Sequence, residues 1–561
     1  MQSVDAVLEI KKAIENEAKQ VGTMSWLGNW KVFLSLEHST KRATVINYSN
    51  ASLDYIFKQL RKETDKHTAN FKIDVAYQFK AMLFSEWNDM ALHTKKNYCR
   101  LGVSFDKGFH TALLEQEVNG NAMIQPKETG LALNVENLNR YLIQSHKEHG
   151  KLEIEANSEV IVFDTIGFYF DGDTVLPLYR GELNHGRRII SQLEPSEVEE
   201  LIRKSGAYLA DQVGADGEFI YGYFSCFDKK IKHYNSLRHA SSTYSMLESY
   251  EVSGEPKILR AAEKALRFLA IDLIREQESR AYVIERDNNE MKLGANAAAI
   301  LAFSKYMQVT ENNSYLALSQ KLAHAICDQQ QEDGRFIHVL EYPTLAVKDA
   351  FRIIYYDGEA VLGLLRLYEL DRDSRWLDVA TKAFDHFIKN EYWKNHDHWL
   401  SYCTNEITKY LPEDRYFEFG LKNAFGRLDF IYDRATTFPT FLELTVATHD
   451  MCERIEAENK AYLLEGFHRE KLERTIEKRA DYQLNGFFYP ELAMYYKNPA
   501  RILHSFFIRH HSFRVRIDDV EHNISGYCRY LHRITAAVPE KKRKKKCSCK
   551  EKTLYKQILY W

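Results

Sequence analysis

Two different spacings of apolar residues divide the chain near residue 195. Before that point, residues 29–37 (NWKVFLSLE) and 158–179 (SEVIVFDTIGFYFDGDTVLPLY) carry the β-branched and aromatic enrichment of strands. Asp171-Gly172 is a hairpin-type turn between two of them. Polar helical stretches such as SLDYIFKQLRKE lie between, so residues 1–194 read as an α+β accessory domain. Within it, 180–188 (RGELNHGRR) reads as a basic, solvated connector. From Glu194-Pro195-Ser196 onward helical periodicity takes over, Ser196 and Glu199 have capping-box spacing, and strands nearly vanish up to residue 536.

That second part repeats. SMLESYEVSGEPKILRAAEKALRFL, AFSKYMQVTENNSYLALSQKLAHAI and LLRLYELDRDSRWLDVATKAFDHFI align, matching Tyr250, Tyr306 and Tyr368, and Leu259, Leu316 and Leu377, at spacings of 56 to 62 residues. Each unit holds two helices. The second carries one apolar stripe, as in Leu259, Ala262, Leu266, Leu269 and Leu273, and faces water on its other side. The first, as in ANAAAILAF and GEAVLGLLRLY, is apolar or small all round and must be enclosed. Inner and outer helices repeated about six times close most simply into a double ring. Helix starts at DRATTFPTFLEL and RVRIDDVEHNISGY extend the series toward residue 535.

The composition narrows the function. A net charge of −3 argues against a surface built for nucleic acid or an acidic membrane. Aromatics reach 13%, suited to cores and to sugar-binding clefts alike. The first twenty residues have no apolar core of a signal peptide, and no run approaches 18 apolar residues. Eight widely spread cysteines fit reduced thiols, so a cytoplasmic protein is expected. Residues 537–561, with KKRKKKCSCKEK, read as a basic, disordered tail. No Gly-rich phosphate loop and no metal-ligand spacing stand out, so neither cofactor nor metal is expected; His504 and His510-His511 lack further ligands nearby.

The turn after the outer helix recurs as Asp216-Gly217-Glu218-Phe219 and Asp333-Gly334-Arg335-Phe336. Hairpins of this length with such an exit resemble the (α/α)6 toroids of carbohydrate-active enzymes, among them N-acylglucosamine 2-epimerases, unsaturated glucuronyl hydrolases and glucuronyl C5-epimerases. The likeness covers about residues 196–535. It implies a mainly α fold and a sugar or oligosaccharide partner, and leaves hydrolysis, elimination and epimerisation open.

In a closed ring the N-termini of the inner helices share one mouth. Its expected residues are Arg238 and His239, Gly294 and Asn296, Tyr356, Asp357 and Glu359, Asp433 and Arg434, then Arg516, Asp518, Asp519 and His522. Glu359, Asp357, Tyr356, His239, Asp433 and Asp518 are the candidate acids and bases; Arg238, Asn296, Arg434, Arg516, Asp519 and His522 are the candidate substrate binders. The arginines and helix N-termini favour an anionic, uronic-acid-containing ligand. Against this stand capping roles for the aspartates, buried Arg–Asp pairs and a core role for His239. The chain then reads as a non-catalytic repeat scaffold or glycan-binding protein. A toroidal cyclase would want an acidic cluster of which Asp518-Asp519 is only a fragment.

Overall fold

The computed structural model describes residues 3–21, 24–66, 70–127, 130–146, 151–181 and 183–536. The expected basic tail, 537–561, lies outside the described residues.

An antiparallel sheet organises the N-terminal part. Its strands are β1 (Trp30–Leu36), β2 (Thr44–Asn50), β3 (Phe71–Leu83), β4 (Gly102–Ser104), β5 (Ala112–Leu113), β6 (Glu159–Phe170) and β7 (Val175–Pro177). The order is β2-β1-β3-β6-β4-β5, with β7 pairing β6. Asp171 makes the β6–β7 turn by accepting from the backbone N–H groups of Asp173 and Thr174, and Gly172 takes a positive φ of 96°. Helices Ser3–Val21 and Leu53–Thr64 cover one face, where Ala6, Val7, Ile10, Ile56 and Leu60 meet Val32, Leu34, Ile73 and Val75 in one apolar core. The other face joins the helical part. Phe33, Ala76, Ile161 and Phe163 share a continuous core with it, and Ser35 hydrogen-bonds the Tyr495 hydroxyl at 2.7 Å. Residues 180–188 dock rather than float: Arg187 pairs with Asp481 at 2.9 Å and Arg188 with Glu491 at 2.6 Å.

Twelve helices form the double ring. The inner six are Ser236–Ser253, Leu293–Thr310, Tyr355–Asp371, His398–Ile407, Thr440–Ala457 and Ile517–Ala536. Each packs on the next, and the sixth packs on the first, so the ring closes. The outer six are Pro195–Gln212, Pro256–Phe268, Leu316–Gln329, Ser374–Lys389, Asp414–Phe425 and Arg469–Gln483. Enclosure explains the inner sequences: residues 293–304 are buried without a break. The first outer helix is boxed by Glu194 and Glu197, with Pro195 at its first position, rather than by Ser196 and Glu199. The recurring turns need glycine twice over. Gly217 and Gly334 sit at φ of 98° and 90°, and a Cβ on either would collide with the backbone carbonyl of Lys264 or Lys382 on the next outer helix. The repeated Asp-Gly thus sets the spacing of adjacent hairpins.

Candidate functional site

Asn235 caps the first inner helix, its side chain accepting from the Arg238 backbone N–H at 2.9 Å. One turn in, the Arg238 guanidinium reaches the sixth inner helix. It lies 3.5 Å from Asp518 and 3.5 Å from Glu521, and its Nη1 is 3.4 Å from His522 Nε2. Arg516 closes the same corner, 2.9 Å from Asp518 and 3.1 Å from Asp519. The second oxygen of Glu521 accepts from Ser241 and Ser242 at 2.6 and 2.8 Å.

The fifth and fourth helices supply what faces this corner. His522 Nδ1 is 3.0 Å from Glu443 Oε2, and Tyr402 donates to the other Glu443 oxygen at 3.3 Å. His398 stands 3.9 Å from Glu443, with its Nδ1 3.1 Å from Asp397 Oδ2. Asp397 also caps the fourth helix, accepting from the Leu400 N–H. A donated Nδ1–H fixes the tautomer and leaves a lone pair on His398 Nε2. The His398 and His522 rings are edge-to-face at 5.3 Å, flanked by Trp399 and Tyr355. From the third helix comes Glu359, whose Oε2 lies over Gly294: any side chain there would clash with that oxygen and with Tyr356. The small residue opening the second inner helix therefore makes room for a carboxyl.

Burial dominates the electrostatics. It raises Glu359 to about 8 against the pull of Arg238, and Glu443 to about 8 against His398. It lifts Glu521 well above its ordinary value, and with Asp518 nearby raises Asp519 to about 6. Burial, helped by His398 and Arg238, pushes His522 well below the usual histidine range. The mouth therefore holds neutral imidazole and protonated carboxyl groups near pH 7.

Five buried polar atoms have no hydrogen-bond partner here: Glu359 Oε2, His398 Nε2, Trp399 Nε1, Asp518 Oδ1 and Glu521 Oε1. Native interiors rarely leave polar atoms unpaired, and five around one mouth describe a surface shaped for a polar ligand.

The other expected residues have different surroundings. His239 is fully buried; its Nδ1 meets Tyr234 at 2.7 Å and its Nε2 the Ala265 carbonyl at 2.8 Å, so the ring ties inner to outer helix. Asn296 holds the neighbouring hairpin, accepting from the Val283 N–H at 2.8 Å. Asp357 is held 3.0 Å from the buried His338. Asp433 ends the short helix Leu428–Asp433 and is exposed, because the fifth inner helix begins only after Pro439. Arg434 bonds Thr436 at 3.0 Å and stacks on Phe430 and Phe438 instead of joining Asp518. Replacing Asp433 with asparagine should leave both activity and melting unchanged, within about 0.5 kcal/mol.

His398, Glu443, Glu521 and Trp399 were not among the expected residues. For His398 the sequence signal is Asp397, an N-cap residue type directly before HWLSYCTNEI.

His398, Glu443 and His522 each offer a ligand atom, all within 4.8 Å of one another, a geometry able to hold a divalent ion. Arg238, beside His522, opposes a second positive charge there. A groove of about 500 Å³ lies elsewhere, between the first outer helix and residues 500–504. Its Arg203 and Arg501 are committed to Glu200 and Asp228.

Comparison with known proteins gives similarity of architecture at low identity. A cellobiose 2-epimerase from Bacillus thermoamylovorans superposes with a TM-score of 0.47 and 12% identity over 61% of this chain and 100% of that one. A D-mannose isomerase gives 0.46 and 9% over 62% and 100%. An α-1,6-mannanase from a Salegentibacter species gives 0.40 and 12% over 60% and 100%. No family model and no curated protein sequence matches.

Proposed function

We propose that the chain is a carbohydrate-active enzyme that epimerises or isomerises a sugar by proton transfer at a carbon next to its carbonyl. The observation that carries this reading is the pair of histidines His398 and His522, each backed by its own carboxyl group and facing one mouth. Hydrolysis needs a carboxyl pair flanking a glycosidic bond. Inverting a centre by removing and returning a carbon-bound proton needs acid–base groups on both sides of a planar intermediate, moving the proton to the adjacent carbon needs one, and two imidazoles suit both tasks.

In this scheme His398 Nε2 takes the proton from the carbon, and its imidazolium is steadied by Asp397. The electron pair moves into an enediolate whose oxygen accepts from the protonated Glu359. His522, sharing a proton with Glu443, serves the opposite face: return there inverts the centre, while return to the adjacent carbon gives the isomer. Trp399 and Tyr355 wall the ring, and their aromatic faces suit the C–H side of a sugar.

The ring that enters carries no carboxylate on this reading. Glu359, Asp397, Glu443, Asp518, Asp519 and Glu521 crowd the mouth, and Arg238 and Arg516 are already paired with acids of the sixth helix. Helix-start arginines therefore do not imply a free anion site. The test is a panel of aldoses, ketoses, uronic acids and disaccharides followed by ¹³C NMR. A sugar without a carboxylate on its ring, free or phosphorylated, converted to its epimer or ketose is the expected result; cleavage of a glycoside, or turnover of uronic acids alone, contradicts it.

A pH dependence follows from the raised carboxyls. The folded protein keeps protons on Glu359 and Glu443 up to about pH 8, whereas an unfolded chain releases them near pH 4.5. The unfolded state thus binds fewer protons in that window, and stability falls as pH rises through it. Glu359→Gln should flatten the decline between pH 5 and 8 and raise the melting temperature at pH 8; an unchanged slope in the variant counts against a protonated Glu359.

A further inference from the structure

The loop that leads into the sixth inner helix, residues 509–516, carries cations that the proton-transfer scheme does not use. An accessory-domain loop is fastened to it. Lys96 donates to Ser512 at 2.7 Å, Asn97 Nδ2 to the Arg509 carbonyl at 2.8 Å, and Arg509 Nη1 back to the Asn97 carbonyl at 3.3 Å. Lys95 lies over Tyr98, whose ring also faces Arg509. From the other side, Arg434 stacks on Phe438, Phe438 contacts His510, and His510 contacts His511 at 4.4 Å. Arg479 fixes the Arg434 backbone, donating to its carbonyl at 2.8 Å.

Lys95, Lys96, Arg434, His510 and His511 thus form one patch held by three chain segments. Among the described residues none of the five has a carboxylate partner, in contrast to Arg238, Arg516, Arg187 and Arg188. Asp433, next to Arg434 in sequence, makes no ion pair with it among the described residues. His510 Nδ1 has no hydrogen-bond partner. Burial, with Lys95, His511 and Arg434 adding to it, holds His510 down to about 4, and burial with Arg434 lowers Lys95. Lys95, Lys96 and Arg434, kept together by packed loops without a carboxylate partner and beside imidazole N–H donors, are the arrangement of an anion site. The patch borders the mouth: Arg516, which pairs with Asp518 inside it, lies near enough to His511 to act on its charge.

We infer that this patch binds a phosphoryl group carried by the sugar whose ring occupies the mouth, so that the substrate is a sugar phosphate. The identification as a substrate group rests on the proposed sugar chemistry; the anion site itself does not. Lys95 and Arg434 supply charge, Lys96 and His511 supply N–H donors, and the neutral ring reaches past Arg516 to His398.

The test measures binding to the full-length protein carrying His398→Asn, so that turnover does not intervene. Inorganic phosphate, glucose and glucose 6-phosphate are titrated at constant ionic strength, followed by thermal shift and ³¹P NMR. The expected order is glucose 6-phosphate tighter than inorganic phosphate by tenfold or more, with glucose weakest. The double variant Lys95→Ala/Arg434→Ala should lose at least tenfold of the sugar-phosphate affinity, while Arg203→Ala, in the outer groove, should lose none. Equal affinity for the phosphate ester and inorganic phosphate, or undiminished binding in the double variant, overturns the inference. Failure of the proton-transfer reading alone would leave the phosphate binding and its loss in the double variant intact.

Discussion

His398→Asn should lower kcat by about 10²- to 10⁴-fold, the range a positioned general base contributes, while the melting temperature stays close to that of the wild type. The cap of the fourth inner helix is made by Asp397 itself and survives, and the polar atom lost, Nε2, makes no hydrogen bond among the described residues. His239→Asn provides the contrast. That ring links Tyr234 to the Ala265 carbonyl between inner and outer helices, so its replacement should lower stability by a few kcal/mol with kcat of the folded fraction nearly unchanged. Steady-state kinetics alongside calorimetry separates the two. If His239→Asn abolished turnover and His398→Asn did not, the roles given to them would be reversed.

Arg238→Met should be the most destabilising change at the mouth. It leaves the buried Glu521 without its cation and Asp518 with Arg516 alone, and removing one partner from a buried ion pair costs about 3–5 kcal/mol. The loss should grow with pH, because the orphaned carboxyls escape it by taking up protons. Urea unfolding at pH 6 and pH 8 tests this, the deficit being larger at pH 8. Adding Glu521→Gln should recover part of it, since Ser241 and Ser242 can bond the amide oxygen. A double variant no more stable than Arg238→Met would show that Glu521 is not what Arg238 balances.

Much of the architecture is legible in the residues. The matching tyrosines and leucines, the Asp-Gly turns and the contrast between enclosed and striped helices specify a closed ring, and Glu359 falls at its mouth because its place in the repeat is unambiguous. The fourth unit was hidden by its brevity: HWLSYCTNEI spans only ten residues, with polar atoms turned toward a polar axis rather than toward water. A charged pair, Asp433-Arg434, marked the fifth unit too early, when Pro439 was the residue that sets the helix start. The same displaced start leaves Glu443, in the first turn of that helix, outside the expected mouth. The arginines do not leave a free anion site because Asp518 and Asp519, in the first turn after Arg516, pair with it, and Asp518 and Glu521 engage Arg238. Spacing locates positions around the ring; it does not say which side chains face one another across it.

The most direct measurement of the central claim is solvent deuterium incorporation into substrate, followed by ¹H NMR in D₂O. Proton transfer through His398 and His522 predicts exchange at the carbon beside the carbonyl in wild type and loss of exchange in His398→Asn. Product formed at full rate with no deuterium at that carbon, or full exchange in the variant, would contradict it.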